Sequence, residues 1–176
     1  MNEPRDPRTY EVGDLALLSL EQIDWCLTEV TRQCPGGWYA KDLQVQYNRM
    51  FFALCNTIRN TVRSEHLWDN LYEERIKAIN AIINPDAIGE YRTSVVSFTQ
   101  GTTEASDPID VPEHMHRLFR NMFDPEMTMT AAEFTKEFLV IHPFADGNGR
   151  TAAIIYNLIK GTLANPEPLP DFFGVH

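Results

Sequence analysis

Apolar residues recur at helical spacing along most of this chain. Leu43, Tyr47, Met50, Phe51, Leu54, Ile58 and Val62 fall on one face, which predicts a long helix over about Ala40 to Ser64 with that face in the core. A shorter helix is expected before it. Ser19 with Gln22 three residues later is a capping box, each side chain satisfying the other's backbone N–H, and it opens a helix to about Thr31. Pro35-Gly36-Gly37 ends that unit. A third periodic stretch covers about Leu67 to Ile83 and stops at Asn84-Pro85. Pro112 opens a helix to about Phe123, with Met115, Leu118, Phe119 and Met122 on one side. Thr130 and Glu133 form a second capping box, starting a helix from Ala131 to about Ile141. From Arg150 to Lys160 the residues are largely apolar, so a buried helix is expected.

One stretch breaks the helical pattern. Tyr91-Arg92-Thr93-Ser94-Val95-Val96-Ser97-Phe98 alternates β-branched and polar residues, which predicts a strand, and Thr99 to Thr103 supplies turn chemistry. The remainder is helical, so the expected class is all-α with a short hairpin. A length of 176 residues suits one domain with a real core. The expected divisions are an N-terminal arm over 1–18, a body over 19–164 and a tail over 165–176. In the tail, Phe172 and Phe173 are placed to fold back onto the body.

Charge narrows the partners. A formal net charge of −10 argues against nucleic acid, whose phosphates need a basic face. Cys26, Cys34 and Cys55 lack metal-ligand spacing and read as reduced thiols. No apolar run approaches a membrane span, and Met1 to Pro7 is no signal peptide, so a cytoplasmic protein without a membrane partner is expected. His114 and His116, two apart on a helix, face different directions and do not make a metal pair.

The chemistry concentrates in His142-Pro143-Phe144-Ala145-Asp146-Gly147-Asn148-Gly149-Arg150. Pro143 disfavours helical geometry at His142, so the preceding helix should stop there. Gly147 and Gly149 allow tight turns and close approach to a ligand. The helix that follows would present free N–H groups and its positive dipole end just behind them, a natural anion site. Arg150 adds a planar fork suited to phosphate oxygens. Asp146 is a hard oxygen ligand for magnesium, and His142 can accept a proton near neutral pH, although its place at a helix C-terminus favours the protonated form slightly. These are the parts of a phosphate-transfer site.

The segment resembles the signature of the Fic family, His-x-Phe-x-Asp/Glu-Gly-Asn-Gly-Arg-x-x-Arg. His142, Phe144, Asp146, Gly147, Asn148, Gly149 and Arg150 match in order. The resemblance implies a Fic-like helical bundle with a β-hairpin flap, at about residues 89–103, over the active-site loop. It also implies a protein adenylyltransferase that moves AMP from ATP to a Ser, Thr or Tyr hydroxyl of a target protein. His142 would then be the general base and Asp146 the Mg2+ ligand. Gly147, Asn148, Gly149 and Arg150 would hold phosphates, and the flap residues Arg92, Thr93, Ser94, Val95, Val96 and Ser97 would hold the target by strand addition. Phe144 would anchor the loop.

One position departs. The second arginine of the signature falls on Ala153, removing a charge-assisted contact worth about 1.5–3 kcal/mol if nothing replaces it. Three outcomes follow: weaker use of ATP, a donor that needs no γ-phosphate clamp, or substitution by Arg92 or another basic residue. Doc-like kinases and phosphocholine transferases are relatives lacking that arginine, and a nucleotide-binding module without turnover is a reading of another class. The family's inhibitory pattern, Ser/Thr-x-x-x-Glu-Gly/Asn, is not found; its nearest echo, Thr61 to His66, ends on the wrong residue. Control by a separate, small antitoxin-like chain is the corresponding expectation.

Overall fold

A computed structural model describes residues 18–33, 40–96 and 104–174. Among them are six helices: α1 (Leu20–Gln33), α2 (Ala40–Arg59), α3 (Glu73–Ile83), α4 (Val111–Phe123), α5 (Ala131–Ile141) and α6 (Asn148–Lys160). Both capping boxes form. Ser19 N–H donates to Gln22 Oε1 at 2.8 Å and Gln22 N–H to Ser19 Oγ at 3.2 Å; Thr130 and Glu133 do the same at the head of α5. The all-α class is as expected.

The evenly apolar run does become the most buried element. Residues Thr151 to Leu158 of α6 are all buried, and α1, α2, α3 and α5 pack around it. Phe134 and Phe138 of α5, Met50 and Leu54 of α2 and Ile76, Ile79 and Ile83 of α3 fill the space between. The tail is stitched to this core. Gln22 Nε2 donates to the Leu163 carbonyl at 2.8 Å and Trp25 Nε1 to the Glu167 carbonyl at 2.9 Å. The fully buried Glu29 accepts from Leu169 N–H at 3.0 Å, and Phe172 and Phe173 pack against the core.

Three expectations need correction. First, the second helix ends at Arg59 rather than Ser64. Asn70 intercepts the chain beyond it, accepting from Val62 N–H at 2.7 Å and donating to the Val62 carbonyl at 2.8 Å. Val62, expected in the core, is therefore 58% exposed. Second, the stretch from Leu67 is one 3-10 turn to Asp69, and helix resumes only at Glu73. Third, the β-hairpin flap is not seen. Among the described residues 89–96 there is no strand, and Ser97 with the rest of the expected hairpin to Thr103 lies outside the described residues. Arg92 N–H pairs with the Pro143 carbonyl at 2.9 Å instead of a hairpin partner, and its side chain turns inward.

Cys26 and Cys55 are buried, and burial pushes the Cys26 thiol well above its ordinary value. Among the described residues, no helix is long and apolar enough to cross a membrane.

Candidate active site

His142 sits one residue past the last turn of α5. Its N–H still bonds the Phe138 carbonyl at 2.9 Å, but its backbone is left-handed, with φ 52° and ψ 58°. That geometry costs about 1–2 kcal/mol for a side chain with a Cβ. Arg92 holds the turn in place. Its Nε donates to the His142 carbonyl at 2.6 Å and one terminal nitrogen to the Ile141 carbonyl at 3.3 Å.

The ring of His142 is partly buried, with Nδ1 3.3 Å from the Leu139 carbonyl. A carbonyl only accepts, so the neutral ring carries its proton on Nδ1 and its lone pair on Nε2. Burial draws the imidazole below its ordinary value of 6.5; the Leu139 carbonyl and the Asp146 carboxylate oppose this, and the nearby Arg92 cation adds to it. Desolvation thus outweighs the helix end expected to favour the protonated form.

The loop after His142 is built to be rigid. Phe144 is fully buried, its ring 5.6 Å from that of Tyr91 and 6.2 Å from that of Phe138. Asn148 accepts from Phe144 N–H at 3.0 Å and donates to the Phe144 carbonyl at 2.8 Å. Its amide braces the loop. Gly147 has φ 79°, and a Cβ there would meet Ile83 Cγ2 at 2.8 Å and Asn80 Nδ2 at 3.1 Å. Only glycine fits.

Gly147 is also the N-cap of α6, so that helix starts with no side-chain cap. The N–H groups of its first turn have no intrahelical partner, and they make up the positive end of its dipole. Arg150 is buried, lying between Gln46 of α2 and Asp146, whose Oδ2 is 3.2 Å from it. The Asp146 side chain is 61% exposed and also accepts from Gly147 N–H at 2.6 Å.

Among the described residues no group of three His, Cys, Asp or Glu could hold a metal. An exposed single carboxylate beside an anion site nevertheless fits magnesium, which keeps several waters and takes phosphate oxygens as ligands.

A model of the Fic/DOC family matches residues 70–159, just over half of the chain. The chain belongs to the Fic/DOC family. Members are typically transferases acting on nucleotide substrates with Mg2+. The chain is also similar to the ribonucleoside-diphosphate reductase small chain of Ostreid herpesvirus 1 (isolate France), 46% identical over 44 residues. That match covers 25% of this chain and spans only 8% of the viral protein's length.

In this Fic/DOC domain His142, Asp146 and Gly147 lie in the connection from α5 to α6, and Asn148, Gly149 and Arg150 form the first turn of α6. Thr93, Ser94, Val95 and Val96 lie in the irregular segment before the undescribed residues, Val95 being 83% exposed. Ala153 is fully buried in α6. Arg92 donates to four carbonyls of its own chain.

The sequence reading missed three supporting residues. Asn80 of α3 donates to the Asp146 carbonyl at 3.0 Å and to Thr151 Oγ1 at 3.2 Å. Gln46 holds Arg150. Gln33, at the end of α1, lies so close to Gly149 that a Cβ there would meet its Oε1. A polar residue on an otherwise apolar helix face was the available signal for Asn80 and Gln46.

Proposed function

We propose that this protein is an adenylyltransferase, moving AMP from ATP to a Ser, Thr or Tyr hydroxyl of a target protein. The carrying observation is the His142 ring, whose Nδ1 lies against the Leu139 carbonyl and whose burial favours its neutral form, in the same loop as the uncapped start of α6. Nε2 takes the hydroxyl proton as that oxygen attacks the α-phosphorus; the α–β phosphoanhydride bond breaks and pyrophosphate leaves. Backbone N–H groups from Asn148 to Arg150 bind the phosphate oxygens, and the Arg150 fork faces the departing charge. Asp146 would hold Mg2+, which supplies charge neutralisation on the phosphates when bound.

Ala153 favours a second reading, in which the donor needs no γ-phosphate clamp or the γ-phosphoryl itself is moved. One experiment separates them. The protein and its His142→Ala variant are incubated with cell lysate, magnesium and ATP labelled at the α or the γ position. Label from α alone, lost in the variant, supports AMP transfer. Label from γ alone means phosphorylation, and no label from either overturns both ATP readings. Regulation by a small antitoxin-like chain belongs to the same proposal; full activity of the isolated protein would count against it.

A further inference from the structure

Arg92 is the most heavily bonded side chain around His142, and nothing in the transfer reaction requires it to touch substrate. It is 4% exposed. Its Nε reaches the His142 carbonyl at 2.6 Å, and one terminal nitrogen reaches the Ile141 carbonyl at 3.3 Å and the Ser106 carbonyl at 2.5 Å. The other terminal nitrogen donates to the Ser94 carbonyl at 3.0 Å. Its own N–H adds the Pro143 carbonyl at 2.9 Å. Three consecutive carbonyls, 141 to 143, thus receive donors from one residue. They lie where α5 has run out of its own N–H groups, at the negative end of its dipole.

We infer that Arg92 is a positioning residue for His142: it fixes the left-handed backbone of the base and ties it to Ser94 and Ser106, the two ends of the intervening segment. Ser106 is itself held to α4, its Oγ 2.8 Å from His114 Nδ1. The bonding therefore runs from α4 through Ser106 and Arg92 to the base. A planar fork is needed for this, because a lysine ammonium is a point charge and cannot span four carbonyls in separate directions. Among the described residues, the Arg92 cation and the Asp146 carboxylate act on the His142 ring in opposite senses.

The inference rests on His142 being the base, and its test reads the ring directly as well as the reaction. Arg92→Gln and Arg92→Lys are made in the full chain with 15N-labelled histidine, and the ring nitrogens are followed against pH by NMR. In Arg92→Gln the His142 titration moves up toward 6.5, and its Nδ1 and Nε2 shifts show tautomer averaging. AMP transfer falls about 100-fold in kcat, the scale of a misplaced catalytic group, with KM nearly unchanged. Arg92→Lys keeps the charge but not the fork, so the averaging appears with a smaller titration shift. A folded Arg92→Gln variant whose His142 shifts and titration match the wild type overturns the inference. Should that variant not fold, Arg92→Lys decides by the same readout. If the wild type transfers no AMP, the adenylyltransferase reading fails while the ring titration still decides the role of Arg92.

Discussion

The Asn148 carboxamide lies across the Phe144 peptide, accepting its N–H at 3.0 Å and donating to its carbonyl at 2.8 Å. This two-way bond closes the loop between base and helix as a backbone pair would. Asn148→Asp keeps the acceptor and loses the donor, while placing a charge in a site 2% exposed. The expected cost is about 1–3 kcal/mol, the range for a buried polar group left unmet, read as a lower urea midpoint with unchanged slope.

The two glycines of the loop should behave differently. Gly147→Ala forces a Cβ against Ile83 and Asn80 at φ 79°, so it should destabilise by about 1–2 kcal/mol or more and abolish transfer. Gly149→Ala meets only the end of the Gln33 side chain, which can swing away. A thermal melt close to wild type is expected there, and equal losses for the two would contradict the assigned geometry.

The pH dependence follows from the His142 environment. Burial lowers its pKa from 6.5, so the base is less protonated than an exposed histidine at the same pH. The acid limb of the transfer rate should therefore have its midpoint below 6.5. The sign for stability is the same: between the folded and unfolded values the unfolded chain binds more protons, so stability falls as pH drops through the folded value. An acid limb above 6.5 would exclude this assignment.

Glu29 accepts from Arg32 at 2.6 Å, Gln33 at 2.8 Å and Leu169 N–H at 3.0 Å, with no exposed surface. Glu29→Leu removes all three acceptor contacts, leaving the Leu169 N–H and the Gln33 amide unmet at about 1–3 kcal/mol each. Limited proteolysis should then cut first in the segment after Leu163. A variant as resistant as the wild type would show that the tail is held elsewhere.

The parts legible in the sequence were those made by neighbours. The Ser19–Gln22 and Thr130–Glu133 boxes close over three residues, and the chemistry from His142 to Arg150 lies in one unbroken run. What escaped was decided at a distance. Asn80 bonds Asp146 across 66 residues, Gln46 bonds Arg150 across 104 and Arg92 bonds His142 across 50. Among its described residues the β-prone run at Tyr91 forms no strand, and its arginine bonds carbonyls at the end of α5 instead. Val62 was misplaced because Asn70 offers its backbone an alternative to the next helical turn.

Gln46 on α2 and Gln33 on α1 both touch the loop, yet both precede residues 70–159, the span that carries the family likeness. Leu163 and Leu169, which bond α1, follow it. The stretch recognisable by descent is therefore shorter than the unit that folds. Trimmed to that stretch, the chain would keep His142 to Arg150 and lose Gln46, one of the two side chains that hold Arg150, so grafting the motif onto another bundle would transplant letters without their geometry.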